Sequence, residues 1–261
     1  MPELPDVEIF KQYLDATSLH KTIADVQVTD GRILHGISAQ KIQSKLKGHK
    51  MQGTLRHGKY LFIQTDGKFW LCFHFGMTGN VKCFKNQDHI PDYSRMLIRY
   101  ANGYRLVYVS QRLLGKVGIV KDAHQFIKKK NLGPDAKKIS WNRFQEIFEN
   151  KKGSIKSALM DQKVLAGMGN LYADEILYQA RIHPKTAVNR LDERHFIKIF
   201  NEMKTVIKTA IQKRADPEQF PGSYLLPHRR KDERCPRSHS KLKHIKINGR
   251  TSYFCPRCQP L

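Results

Sequence analysis

The 261-residue chain is short of acid: 23 Asp and Glu stand against 47 Lys and Arg, a formal charge of +24. A folded chain so unbalanced repels itself unless it meets a polyanion. Nucleic acid is the first partner such charge points to, through phosphate neutralisation and counterion release. An anionic membrane surface is the rival, but the basic residues run the whole length and no basic amphipathic anchor stands out. Long apolar runs are also missing, so no segment has the length a membrane span needs. Glu3, Asp6 and Glu8 sit where a secretory leader would carry its apolar core, so the opening residues are not expected to act as one. An intracellular, cytoplasmic protein is expected, nucleoid-associated if bacterial. Cysteine is scarce and odd in number (Cys72, Cys83, Cys235, Cys255 and Cys258), which argues against a disulfide framework. Cys72 and Cys83 lie in apolar, strand-like stretches and read as buried thiols. No internal repeat or low-complexity tract is found.

What is present suffices for real cores, with 40% hydrophobic and 10% aromatic residues. Residues 5–15 place Val7, Phe10 and Leu14 on one helical face, with Pro5 near the first turn. Residues 24–120 read as strands: KYLFIQT, FWLCFHF, MLIRYA and YRLVYV are short β-branched or aromatic runs between DG, TGN and ANG turns. The spacing predicts two packed sheets in a domain over 1–121. A polar, basic stretch with a Gly-Pro turn, 122–140, reads as an interdomain link. Helical periodicity then dominates 141–228, and 229–261 reads as a small hairpin between cysteine-bearing ends.

That tail carries a metal signal. Cys255-Pro-Arg-Cys258 is a C-x2-C knuckle, and Cys235 lies upstream of it. A tetrahedral zinc site takes four such ligands from two knuckles. Position 238, where the fourth cysteine is expected, is Ser. His239 is the natural substitute and His244 a weaker one; a metal-free hairpin in which Ser238 only hydrogen-bonds is the alternative. Lys241, Lys243, Lys246 and Arg250 make the hairpin basic, with Gly249-Arg250 as its expected tight turn. An arginine there can fork across phosphate oxygens.

Three further motifs bear on a polyanion. QKVLAGMGNLYADEILYQA reads as two helices joined through Gly167 and Gly169, with Asn170 opening the second, where free N–H groups favour an anion. Lys59 follows a glycine turn in RHGKYLFIQ. Met77 lies between glycines in HFGMTG and could wedge into a base stack. The N-terminus, MPELP, adds chemistry. If Met1 is trimmed, Pro2 presents a secondary amine that can attack an electrophilic carbon and form a charged iminium. Glu3 beside it can move protons. A proline-rich helix start is the plain alternative.

Together these pieces resemble the formamidopyrimidine-DNA glycosylase / endonuclease VIII family of base-excision repair enzymes. The resemblance rests on PELPDVE at 2–8, HGKYL at 57–61, HFGMTG at 74–79, LGPDA at 132–136, AGMGNLYADEIL at 166–177 and GRTSYFCPRCQ at 249–259. It implies an α+β fold: an N-terminal β-sandwich with a leading helix, a helix–two-turns–helix domain, and a C-terminal zinc-finger hairpin. It implies a monomeric bifunctional glycosylase and AP lyase, acting on a nucleotide flipped from damaged double-stranded DNA. Pro2 becomes the nucleophile and Glu3 the acid/base. Lys59, Asn170 and Arg250 hold phosphates, Lys59 and Arg250 being grouped with the catalytic pair. His74, Lys156 and Glu175 join the DNA-binding set, and Met77 and Arg112 fill the gap left by the flipped base. One structural Zn2+ sits on Cys235, His239, Cys255 and Cys258. Three departures stand out. Ser110-Gln111-Arg112-Leu113-Leu114 replaces an acidic-Pro-Arg-Arg-Phe stretch. The loop over 215–234 lacks a glycine-rich lid, which leaves the choice among oxidised pyrimidines, abasic sites and ring-opened purines open. Ser238 replaces a zinc cysteine. A non-catalytic DNA- or RNA-binding zinc-knuckle protein is the alternative function.

Overall fold

A computed structural model describes residues 1–85 and 89–261. Two units emerge, Met1–Pro2 with Asp6–Lys130, and Glu3–Pro5 with Asn131–Leu261.

Among its described residues the first unit holds eight strands: β1 (Ile23–Val28), β2 (Met51–His57), β3 (Tyr60–Thr65), β4 (Trp70–His74), β5 (Gly79–Lys85), β6 (Ser94–Tyr100), β7 (Tyr104–Ser110) and β8 (Lys116–Val120). They form two four-stranded antiparallel sheets, ordered β1-β6-β7-β5 and β2-β3-β4-β8. Alternating side chains from both sheets share one core, including Leu61, Phe73, Ile98, Leu106 and Tyr108. Helix α1 (Leu4–Thr17) adds Val7 and Leu14 to that core and sets the Phe10 ring 4.6 Å from Phe75.

Two helices appear where none was expected. Helix α2 (Ala39–Leu46) lies inside the stretch read as strands; Ser38 caps it by accepting from the Lys41 N–H, and Ile42 and Leu46 are buried. Helix α3 (Ala123–Lys129) lies inside the stretch read as a link, capped by Asp122. Its Phe126 packs edge-on to Tyr60 and Phe62, 5.3 and 5.5 Å away. Ala123 and Ile127 join Phe126 in the same apolar cluster and dock this helix, and the surrounding lysines masked it in the sequence.

The second unit holds α4 (Trp141–Glu149), α5 (Ile155–Met160), α6 (Asn170–Ala180), α7 (Glu193–Gln212) and the hairpin β9 (Lys243–Ile247)–β10 (Arg250–Phe254). Ser140, Ser154 and Asp192 cap α4, α5 and α7. Helix α6 is central, buried from Tyr172 to Tyr178, and shares a core with Phe144, Phe148, Leu159, Ile199 and Met203. The hairpin turn is Asn248-Gly249, with φ of 47° and 72°, so Arg250 opens β10 rather than occupying the turn. Two positive φ values in a two-residue loop match the twist of the flanking strands, which is why Asn-Gly is found there.

Candidate active site and nucleic-acid interface

In the second unit the site grows from the AGMGN turn. Gly167 has φ of +114°, and a Cβ there would come 2.5 Å from Leu4 Cδ1. The Leu4 N–H donates to the Gly167 carbonyl at 3.0 Å. The N-terminal segment is thereby fastened to the turn, and Glu3 follows it into the interior. Glu3 is fully buried, and its Oε1 accepts the Leu171 N–H at 2.9 Å, at the start of α6. A carboxylate suits that place, where helix N–H groups have no internal partner.

Asn170 stands beside it. Its Oδ1 accepts from Lys156 Nζ at 2.7 Å and its Nδ2 donates to the Thr251 carbonyl at 3.0 Å. Helix α5, helix α6 and the hairpin therefore meet at one amide. Asp174, one turn on, holds the same three parts together. It pairs with Lys156 at 2.6 Å and with Arg229 at 2.8 Å, and accepts from Ser252 Oγ at 2.6 Å and from the Tyr253 N–H at 3.1 Å. Burial pulls the Lys156 ammonium down from its usual range while Asp174 opposes that pull. The sequence reading missed Asp174, yet it lies four residues after Asn170 and so on the same helix face.

Two residues expected among the DNA contacts need correcting. Lys156 and Glu175 are both fully buried, so neither presents its side chain to a bound strand. Lys156 is locked to Asp174, a pair whose disruption is costly. Glu175 accepts the Leu225 and Leu226 N–H groups at 3.2 and 2.7 Å and Gln179 Nε2 at 2.6 Å, which anchors the loop leading to Arg229. Burial pushes its carboxyl up to about 7 from 4.5. The raised value means the fold prefers the protonated acid. Its stabilising share is complete below about 4.5 and is lost as pH rises through about 7. Glu175→Gln should remove that loss, roughly 3 kcal/mol across the window. Unfolding free energies measured from pH 4.5 to 7 should fall in the wild type relative to the variant; parallel curves would contradict the assignment.

Arg250 is exposed and borders an open cavity of about 370 Å³ with Lys151, Lys152, Ser157 and Asn248. Asn248 Nδ2 donates to Ser157 Oγ at 3.0 Å, which moors the hairpin turn to α5. Cations gathered around an open polar pocket suit a phosphate oxygen.

In the first unit Lys59 follows Gly58, whose φ is +55°, between β2 and β3. Arg56 sets that turn: it is buried, paired with Glu8 at 2.5 Å, and donates to the Gly58 carbonyl at 3.0 Å. Neither Glu8 nor Arg56 was read as part of a site. His74 ends β4, opposite Tyr60. Burial, with Lys59 and Lys130 adding to it, pulls the imidazole down to about 4. Its Nδ1 accepts the Gly76 N–H at 3.3 Å, so the neutral ring carries its hydrogen on Nε2. Met77 is 39% exposed, Leu114 50%, and Arg112 is exposed as well. The Arg112 N–H donates to Thr78 Oγ1 at 3.1 Å, and Gly76, with φ of +60°, is packed against the Leu114 and Gly115 backbone. The loops thus form one ridge that presents two apolar side chains and a guanidinium. Pro2 is half-buried.

At the hairpin base the sulfur atoms of Cys235, Cys255 and Cys258 lie within 4.8 Å of one another. The Ser238 N–H points at Cys235 Sγ, 3.4 Å, and the Cys258 N–H at Cys255 Sγ, 3.3 Å, as in paired metal knuckles. This donor set fits zinc. His239 does not join it: the residue is exposed, in a left-handed turn with φ of +57°. His244, exposed on β9, is likewise outside the cluster.

Among the described residues no helix is long and apolar enough to cross a membrane. The family model for the formamidopyrimidine-DNA glycosylase N-terminal domain matches residues 1–117, and that for the formamidopyrimidine-DNA glycosylase H2TH domain matches 132–220. A formamidopyrimidine-DNA glycosylase of Arabidopsis thaliana is 31% identical over 278 residues, covering 100% of this chain and 71% of the relative. One from Streptococcus pyogenes is 30% identical, covering 99% and 98%. The Lactococcus lactis Fpg bound to abasic-site DNA superimposes with a TM-score of 0.89 at 25% identity, over 99% of this chain and 100% of that one. The wild-type Lactococcus lactis enzyme with DNA containing N7-benzyl-Fapy-dG gives 0.89 at 26%, over 100% of both chains. The chain belongs to the formamidopyrimidine-DNA glycosylase family.

Proposed function

We propose that this protein is a DNA glycosylase of base-excision repair with AP lyase activity, working on damaged duplex DNA inside the cell. The observation that carries the reading is the buried Glu3 carboxyl, fixed at 2.9 Å by the Leu171 N–H and next in sequence to Pro2. After removal of Met1, the Pro2 nitrogen attacks C1′ of the damaged nucleotide. As the N–C1′ bond forms, Glu3 delivers a proton to the ring oxygen, the C1′–O4′ bond breaks and the sugar opens with its base still attached. The base then leaves with the glycosidic electron pair and takes up the proline N–H proton, and a charged iminium remains. Loss of a C2′ proton to a base then expels the 3′ phosphate, and water frees the enzyme.

Each unit carries side chains of its own that suit a DNA backbone. Lys59 and Arg250 supply charge-assisted hydrogen bonds to phosphates, and His74 supplies a neutral Nε2–H. Asn170, held by Lys156 and Thr251, stands at the α6 N-terminus where an anion is favoured. Met77, Arg112 and Leu114 occupy the space of an extruded nucleotide, with Leu114 in place of a larger wedge. Cys235, Cys255 and Cys258 would hold a zinc ion, which supplies a structural cross-link for the hairpin and takes no part in bond breaking.

The test is a panel of duplexes, each with one oxidised purine, ring-opened purine, oxidised pyrimidine or abasic site. Base release and strand scission on at least one lesion, and neither on undamaged duplex, are expected. Salt-sensitive binding with no release or scission on any of them would leave a non-catalytic DNA-binding protein instead.

A further inference from the structure

We infer that the hydroxyl oxygen of Ser238 supplies the fourth ligand of the hairpin metal, making an S3O site where two complete knuckles would give S4. The inference rests on the zinc reading above and assigns the corner that reading leaves open. Ser238 Oγ lies 3.1 Å from Cys255 Sγ, and the Ser238 N–H points at Cys235 Sγ at 3.4 Å, so the residue sits against two of three sulfurs that lie within 4.8 Å of one another. Its oxygen is thereby placed beside the three-sulfur cluster, where a fourth ligand is needed. Oxygen and sulfur at zinc bond lengths of about 2.0 and 2.3 Å stand roughly 3.5 Å apart across a tetrahedron. Small outward shifts on metal entry suffice.

Ser240 completes the arrangement. Its Oγ lies 2.8 Å from Ser238 Oγ and 3.2 Å from Cys255 Sγ. Ser240 can accept the Ser238 hydroxyl hydrogen, which leaves a Ser238 lone pair for the metal. Metal entry displaces three thiol protons, while the serine stays neutral. Three thiolates and one divalent cation sum to −1, against −2 for four thiolates. The smaller negative charge sits under a hairpin that carries Lys241, Lys243, Lys246 and Arg250 toward a polyanion. A neutral oxygen ligand also holds borderline-soft zinc less tightly than a fourth thiolate.

The experiment uses the full-length protein. Zinc per chain is measured, then the metal is replaced by cobalt(II), and affinity is read by competition with a chromophoric chelator. Wild type should bind one metal per chain. Ser238→Cys should raise the sulfur-to-cobalt charge-transfer absorbance by roughly a third, four thiolates for three, and slow metal release. Ser238→Ala should weaken metal binding by roughly 10–100-fold, and His239→Ala should leave it unchanged. No zinc and no cobalt uptake in the wild type would overturn the zinc reading itself. Metal uptake with Ser238→Ala equal to wild type, or with the loss falling on His239→Ala, would overturn only the Ser238 assignment. Circular dichroism of each variant separates metal loss from failure to fold.

Discussion

Glu3→Gln should lower base release by roughly a hundredfold to ten-thousandfold, the usual worth of a positioned acid/base. The variant isolates chemistry from structure. Glutamine keeps a carbonyl oxygen for the Leu171 N–H, which Glu3 Oε1 now accepts at 2.9 Å. The turn fastened by Leu4 and Gly167 has no reason to move. What disappears is the exchangeable carboxyl proton needed to open a sugar ring that still carries its base. An abasic sugar already opens to an aldehyde without that help. Cleavage of a preformed abasic duplex should therefore fall much less than base release, and duplex affinity should stay near wild type. Equal losses in all three would mean that Glu3 serves the fold and not proton transfer.

Blocking the Pro2 nitrogen should abolish both base release and strand scission. An α-amine titrates near ~8, so a useful fraction is neutral at physiological pH. A chain that keeps Met1, or is acetylated on Pro2, has an amide nitrogen instead, whose lone pair is committed to the carbonyl. No iminium can form on it. Such protein should still bind abasic duplex with the salt sensitivity of a chain carrying +24, because phosphate contacts need no free amine. Retention of full scission by uniformly blocked protein would move the nucleophile elsewhere.

The sequence was legible where one residue type answers one physical need. Glycines in AGMGN marked a turn between two helices, read there as room for a bound anion; in the fold the room at Gly167 is taken by Leu4. Alternating β-branched and aromatic runs marked four of the eight strands, and three- and four-residue spacing marked α4 to α7. Contributions from distant partners were much less legible. Helix α3 depends on Ala123, Phe126 and Ile127 meeting a cluster that includes Tyr60 and Phe62, more than fifty residues upstream. Lys156 looks in sequence like any basic residue on a DNA-binding protein, but Asp174 and the hairpin bury it completely. Asp174 itself carries no motif beyond its spacing from Asn170, because its partners Arg229, Ser252 and Tyr253 lie on other elements. Ser238 and His239 were separable only by backbone conformation: the turn sends the histidine outward and leaves the serine hydroxyl beside the Cys255 sulfur.

Pro2 as the reacting group is tested most directly by borohydride trapping on abasic or lesion duplex, followed by proteolysis and mass mapping of the adduct. The expected product is an N-terminal peptide that begins at Pro2, lacks Met1, and carries the reduced deoxyribose remnant on the proline nitrogen. The remnant on a lysine, Lys59 above all, or on a peptide that still begins with Met1, would contradict it.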